Sequence, residues 1–351
     1  MNCGTRRVGS RPIAPRVRIL NSTVSQLRLN PLTGRWVTIV AERAKRPSDF
    51  APRVPEIDGG PGRPCPFCPG HEDPNLPALD TVEDGAGGWQ MRVIPNLYPA
   101  FDGSAGFVVH HLGPVHVTAD ASGLHEVFVY TPNHDGGLEE LDDKGAAALM
   151  HVLQRRLAAH AAAPEVRYTQ VIINHGREAG ASLVHPHAQI LGLPFVPGEI
   201  LDEERAFARF AGGCVICTTI EAELAADERV VFADDDVVCV APFWSGAPFE
   251  LLLMPRRHEA HLQDADPASL EAISRGIRDA VRHLNGALGY VAYNLGFHTA
   301  PHEHGGQYHW HVHLWPNLVT AAGFERGTGV MINVMPPETA AETLRAVRTP
   351  A

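Results

Sequence analysis

Two stretches of this chain use the same uncommon residues in the same order. The first carries Cys65 and Cys68, then His134, then His185-Pro186-His187. The second carries Cys214 and Cys217, then His258, then His309-Trp310-His311. His134 to His185 and His258 to His309 each span an interval of 51 residues. Inside each interval lies a segment with an acidic start and helical apolar spacing. In one, Asp142-Asp143 precedes Ala147, Leu149, Leu153 and Leu157. In the other, Asp266-Pro267 precedes Leu270, Ile273, Ile277, Val281 and Leu284. Strand-like runs flank both helices: 92–101, 125–132 and 168–173 in the first stretch, 237–243, 249–255 and 290–295 in the second. A chain written this way is expected to fold as two copies of one α+β unit. The expected boundaries are an extension at 1–26, a first unit at 27–197 and a second at 198–351. The connection over 197–213 is expected to be helical from Glu203 to Phe210.

The residue balance narrows the function. Lys and Arg number 29 against 40 Asp and Glu, a net charge of −11. A general polyanion binder needs a net basic face, so nucleic acid is not an expected partner. A local cluster can still hold a small phosphate. No apolar run reaches the roughly 20 residues of a membrane span. The first 24 residues are basic without the apolar core of a secretory signal; they are expected to be disordered, and the protein cytoplasmic.

Four of the six cysteines form the two C-x-x-C pairs, and 20 histidines accompany them. Outside oxidising compartments such pairs suggest metal before disulfide. Zinc takes four tetrahedral ligands from thiolate and imidazole. The repeat offers that set twice: Cys65, Cys68, His134 and His185, and Cys214, Cys217, His258 and His309. Four protein ligands leave no open position, so both sites are expected to be structural. A redox pair is the competing reading, but it does not call for distant histidines at matched offsets. His261 competes with His258, and His302 and His304 compete with His309.

The segment Asn174-His-Gly176-Arg-Glu-Ala-Gly180-Ala-Ser182 precedes His185-Pro-His187-Ala-Gln189. A glycine-rich loop with a serine can turn backbone N–H groups and a hydroxyl toward phosphate. Strand alternation puts His185, His187 and Gln189 on one face. His185, held by metal, would fix the strand. His187 would then face the loop as a rigid neutral imidazole, a competent nucleophile toward phosphorus. Gln189 can donate to a non-bridging oxygen without titrating. His311 is the equivalent of His187 in the second stretch but lacks the loop before it. It reads as a vestige, a core histidine or a neighbour of metal. Asp234-Asp235-Asp236 reads as a solvated turn, and Trp310 and Trp315 as residues packed on a sheet.

The HPHAQ strand and its loop resemble those of galactose-1-phosphate uridylyltransferases, in the histidine-triad superfamily. Asn30-Pro-Leu-Thr-Gly-Arg-Trp36, Arg43-Ala-Lys-Arg46-Pro47, Pro95-Asn96, Pro132-Asn-His134 and Phe324-Glu-Arg-Gly327-Thr-Gly329 fall in family order. The resemblance covers about residues 27 to 348. It implies two histidine-triad-like units whose antiparallel sheets join into a half-barrel with helices outside. It implies ping-pong transfer: His187 takes UMP from UDP-glucose and releases glucose 1-phosphate, then galactose 1-phosphate takes UMP from the enzyme. By matching positions, Arg43, Arg46, Asn96, Asn174, Gly180, Ser182 and Gln189 would contact nucleotide or phosphate. Phe324 and Gly327 would approach the nucleotide at the boundary of a homodimer.

Two features depart from the common family pattern. Ala188 stands where glycine is usual, which questions a close backbone approach beside the nucleophile. Some family members form a second metal site from one Glu and three His, a set that Glu203, His298, His311 and His313 could supply. Others, including plant adenylyl-transferring relatives, use a second C-x-x-C with two His, as this chain does. The alternative to galactose-1-phosphate uridylyl transfer is therefore an ADP-glucose phosphorylase or adenylyltransferase with the same covalent chemistry. A third reading, of another class, is a zinc-stabilised nucleotide-binding protein without turnover.

Overall fold

The computed structural model describes residues 25–40, 64–304 and 306–347. The segment holding Arg43 and Arg46 lies outside the described residues, as do residues 1–24 of the N-terminal extension.

The first half contributes β3 (Asp80–Glu83), β4 (Trp89–Pro95), β7 (Leu124–Val129), β8 (Tyr168–His175) and β9 (His187–Leu193). The second contributes β10 (Val230–Ala233), β11 (Val237–Val240), β12 (Leu251–Pro255), β13 (Tyr293–His298) and β14 (His311–Pro316). These form one ten-stranded sheet in the order β10-β11-β12-β14-β13-β8-β9-β7-β4-β3, antiparallel throughout. The order reads alike from either end once β8 is matched to β13, β9 to β14 and β7 to β12. The sheet is open, two like halves joined at the β8–β13 seam, where Asn174 pairs with Asn294 and Ile172 with Gly296.

Helices cover one face. Helix α1 (Asp143–Ala161) starts at Asp142, whose carboxylate accepts the Gly145 N–H at 2.7 Å. Helix α4 (Pro267–Leu288) starts at Asp266, which accepts the Ala268 N–H, with Pro267 in the first turn. Each cap is worth about 1 kcal/mol, and proline is tolerated there because no helical partner awaits its N–H. Leu149, Leu153 and Leu157 of α1 and Leu270, Ile273, Ile277 and Leu284 of α4 are buried with inward strand residues such as Phe128, Ile173, Ile190, Leu253 and Leu295. One core therefore runs across both halves.

The opposite face differs between halves. In the second, α2 (Gly198–Arg209) and α3 (Val215–Ala226) contribute Phe207, Ile216 and Ile220 to a core with Val238, Leu252 and Met254. In the first, Ile94, Val127 and Val129 meet only the partly buried Phe67 and Trp89, leaving a cavity. A separate sheet of β1 (Gln26–Leu29), β2 (Trp36–Ile39) and β15 (Met331–Asn333) ties the chain ends together, with β15 parallel to β2. Strands β5 (Val109–His111) and β6 (Val117–Ala119) form an exposed hairpin. Short helix α5 (Gly323–Thr328) and helix α6 (Pro337–Arg345) complete the fold. Among the described residues no helix is long and apolar enough to cross a membrane.

Some expected boundaries shift. Helix α2 begins at Gly198 rather than Glu203. Strand β13 begins at Tyr293 rather than Tyr290, because the ladder opens opposite His175 while Ala292 lies against Gly176. Strand β9 begins at His187, so His185 precedes the strand instead of sharing its alternation.

Candidate active site and metal centres

His187 opens β9, paired with Val129 of β7. Its Nδ1 lies 2.8 Å from the His185 carbonyl. A carbonyl only accepts, so Nδ1 carries the proton and Nε2 keeps its lone pair. Burial pushes the ring's pKa down, against the opposing pull of that hydrogen bond. The imidazole is thus held neutral in one tautomer. Phe67 packs on it at 5.3 Å between ring centroids. The ring borders a cavity of about 300 Å³ lined also by Gln189, Ser182, Asn96, Arg92 and Glu72.

The glycine-rich loop leaves β8 at Asn174 and closes on itself, with Ala179 and Ala181 N–H groups donating to the Gly176 carbonyl. Gly176 sits at φ 84°, and a Cβ there would stand 2.5 Å from the Tyr290 hydroxyl. Glycine is required on both counts. Gly180 also sits at positive φ, 85°. The structure thus brings His187, Gln189, Ser182 and Asn96 to one cavity, with Asn174 near the end of β8 and Gly180 in the loop that follows it. Phe324 and Gly327 lie on α5, Phe324 51% exposed, and do not line the cavity of the single chain. The Ala188 question has a simple answer. Its side chain is buried in the core on the helix-covered face, away from the cavity that His187 borders.

Both expected zinc sets converge. In the first, Cys68 Sγ lies 3.4 Å from His134 Nδ1 and 3.6 Å from His185 Nδ1, and Cys65 Sγ 3.7 Å from His185 Nδ1. In the second, the corresponding distances are 3.6 Å (Cys217 to His258), 3.5 Å (Cys217 to His309) and 3.6 Å (Cys214 to His309). Sulfur and nitrogen on one tetrahedral zinc stand about 3.6 Å apart, given the usual bond lengths. His185 Nε2–H donates to the Thr131 carbonyl at 2.9 Å, and His309 Nε2–H to the Pro255 carbonyl at 2.9 Å. Both bonds leave Nδ1 unprotonated for metal, the usual outer-shell arrangement. His261, His302 and His304 take no part in either set; His302 instead bonds Thr169, and His304 bonds Glu204.

The Glu/His set does not compete with the second C-x-x-C. Glu203, His298, His311 and His313 form a third group, all buried, with ligand atoms within 4.8 Å of one another. His298 Nδ1 meets Glu203 Oε1 at 2.8 Å, and Tyr308 donates to the other carboxylate oxygen. Both nitrogens of His313 and Nε2 of His311 are buried without a hydrogen-bond partner. Unpartnered buried nitrogens are costly, and a cation in this group would take His311 Nε2 and one of the two His313 nitrogens as ligands. This donor set therefore fits a metal. Sequence reading treated the two sets as alternatives because it could not place the helix carrying Glu203.

Sequence reading also missed Phe67, His125 and Asn294. Phe67 was legible as the residue inside Cys65-Pro-Phe-Cys68. The other two show no sequence signal, because their roles come from strand pairing.

Comparison with known proteins agrees with this geometry. Two buttressed halves around a single His-x-His-x-Gln site define a nucleotidyl-transferring enzyme. Residues 17–197 match the galactose-1-phosphate uridyl transferase N-terminal domain, and residues 173–348 match its C-terminal domain. The chain belongs to the galactose-1-phosphate uridyl transferase family. It is 32% identical to the ADP-glucose phosphorylase of Arabidopsis thaliana over 92% of this chain and 93% of that protein. It is 28% identical to the galactose-1-phosphate uridylyltransferase of Thermotoga maritima over 91% and 98%. The crystal structure of the Arabidopsis thaliana ADP-glucose phosphorylase with bound ADP-glucose superimposes with a TM-score of 0.78 at 29% identity, covering 93% of this chain and all of that one.

Proposed function

We propose that this enzyme transfers a nucleoside monophosphate from a nucleoside-diphosphate hexose to a phosphate acceptor through a covalent intermediate on His187. The observation that carries this reading is the locked tautomer of His187, with Nε2 unprotonated beside the cavity. Nε2 attacks the α-phosphorus; the N–P bond forms as the bond to the hexose 1-phosphate oxygen breaks, and hexose 1-phosphate leaves with that electron pair. Nδ1–H stays on the His185 carbonyl and supports the positive charge the ring acquires. A phosphate oxygen of the acceptor then attacks phosphorus, the N–P bond breaks and the neutral imidazole is restored. The leaving group is a phosphate, so no general acid is needed where Gln189 stands.

Two donors fit the chemistry. ADP-glucose, with free phosphate as acceptor, is supported by the second C-x-x-C site and by the likeness to ADP-glucose phosphorylase. UDP-glucose with galactose 1-phosphate as acceptor is supported by the likeness to uridylyltransferases. We place ADP-glucose first. Zinc at the two Cys/His sets would fix the chain at His185 and His309, just before β9 and β14 begin, and takes no part in the transfer. The exposed Val109, Leu112, Val115 and Val117 of the hairpin, with Phe324, support a homodimer. Paired thiols as metal ligands suit a reducing compartment such as the cytoplasm.

Intact mass after mixing with each donor tests the reading. An AMP-sized gain from ADP-glucose, absent in His187→Gly, is expected. A UMP-sized gain alone moves the enzyme to the uridylyl branch. No gain from either donor on folded, metal-loaded protein refutes covalent transfer.

A further inference from the structure

Gln189 and Asn174 are primary amides, and an amide is ambivalent: its NH2 end donates and its oxygen accepts. Toward phosphate only the NH2 end is favourable. Two backbone groups of fixed polarity decide which end of each amide is used up.

For Gln189 the deciding group is the Ala100 N–H, which can only donate. It lies 3.0 Å from His125 Nδ1, so Nδ1 accepts. A neutral imidazole accepting at Nδ1 carries its proton on Nε2. His125 Nε2 is 3.0 Å from Gln189 Oε1 and so donates to the amide oxygen. Strand pairing makes the contact: Gln189 stands opposite Val127, and His125 is two residues along β7 on the same face. Asn96 Nδ2 also stands 3.1 Å from His125 Nε2. The Asn96 oxygen is held by the Tyr98 N–H at 2.9 Å, so that contact is donor to donor and adds no bond. Gln189 Nε2 makes no hydrogen bond among the described residues and borders the cavity with His187.

For Asn174 the deciding group is the Ala179 carbonyl, which can only accept. Asn294 Nδ2 is 2.8 Å from it and 2.8 Å from Asn174 Oδ1. Both hydrogens of one NH2 group are therefore spent, one on the loop backbone and one on the Asn174 oxygen. The Asn174 NH2 end makes no hydrogen bond among the described residues, and Asn174 stands two residues along β8 from Ile172, the strand partner of Gln189, on the same face of the sheet. Asn294 belongs to the second half of the molecule and reaches Asn174 across the β8–β13 seam.

We infer that His125 and Asn294 are positioning residues that lock the amides of Gln189 and Asn174 with their donor ends toward the phosphates of the substrate. This rests on the nucleotidyl-transfer reading and adds the device that polarises its site. Through Asn294 the second half of the chain then contributes to phosphate binding without that residue touching substrate.

The test combines an isosteric inversion with a double-mutant cycle, on full-length, metal-loaded protein with unchanged melting temperature. Asn294→Asp keeps the shape but replaces the NH2 group with an acceptor, so Asn174 must turn its oxygen to the site. Single-turnover labelling of His187 by the preferred donor is expected to slow on the order of 30-fold. His125→Leu is expected to slow labelling about 10-fold in the wild-type background and less than 2-fold beside Gln189→Ala, because its effect passes through Gln189. Equal losses in both backgrounds, or wild-type labelling by Asn294→Asp, would overturn the inference. Should Asn294→Asp unfold the seam, the His125 cycle carries the test alone. Calorimetric binding of ADP and UDP to the same proteins separates the two readings. If wild type takes no label, the transfer reading fails. A tenfold weaker nucleotide affinity in Asn294→Asp would still support the amide lock, and an unchanged affinity would overturn it.

Discussion

His187 and His311 hold corresponding places in the two halves and nearly the same local geometry. Each follows a histidine of a Cys/His set by two residues, and each donates Nδ1–H to that histidine's carbonyl, at 2.8 Å and 2.9 Å. Their free nitrogens meet different surroundings. His187 Nε2 borders a cavity with a glycine-rich loop and Gln189. His311 Nε2 is buried beneath α2, 3.7 Å from Glu203. The difference between the two histidines therefore does not reside in the His-x-His strand. It comes from what the chain places over that strand: among the described residues, a loop, the rings of Phe67 and Trp89 and an open cavity in one half, and two helices in the other.

The contrast can be broken most sharply at the two histidines themselves. His187→Gly is expected to abolish the nucleotidyl adduct and lower turnover by on the order of a thousand-fold or more, while His311→Gly keeps the adduct by intact mass. Loss of the adduct in a folded His311→Gly protein would erase the distinction. The metal sets come next. Cys65→Ser and Cys214→Ser are each expected to remove one zinc by elemental analysis and several kcal/mol of stability by thermal melting. Only Cys65→Ser should also slow labelling, because His185 sets the entry to β9. Equal effects on labelling would show that the halves are coupled through metal.

Smaller changes sharpen the role of the loop. Gly176→Ala, with φ 84° and a Cβ 2.5 Å from the Tyr290 hydroxyl, is expected to cost about 2–3 kcal/mol and to displace the loop. Gly180→Ala, at φ 85° in open space, is expected to cost only about 1 kcal/mol. Chemical denaturation of the two variants separates crowding from backbone strain. Phe67→Ala gives the smallest expected effect, about a fivefold slower labelling rate, since it loosens the His187 ring without removing any group that bonds phosphate.

How much of this was legible in the sequence depended on residue type. Cysteine pairs and His-x-His strands are uncommon and their ligand chemistry is strict, so the duplication, both Cys/His sets and the site strand could be read directly. Asp142 and Asp266 announced their helices because a cap is a local device. His125 and Asn294 could not be read, since each sits in an ordinary strand and gains its role from a partner 64 or 120 residues distant. The coexistence of Glu203 with three histidines was hidden for the same reason.

The β8–β13 seam carries a consequence of its own. Two antiparallel strands paired about a local twofold axis are what two identical chains form when they join edge to edge. Here a covalent connection has replaced that encounter. Neither half could now be released without exposing a central strand as a bare edge, open to pairing with any other chain. Each half is thereby the other's permanent partner at the seam.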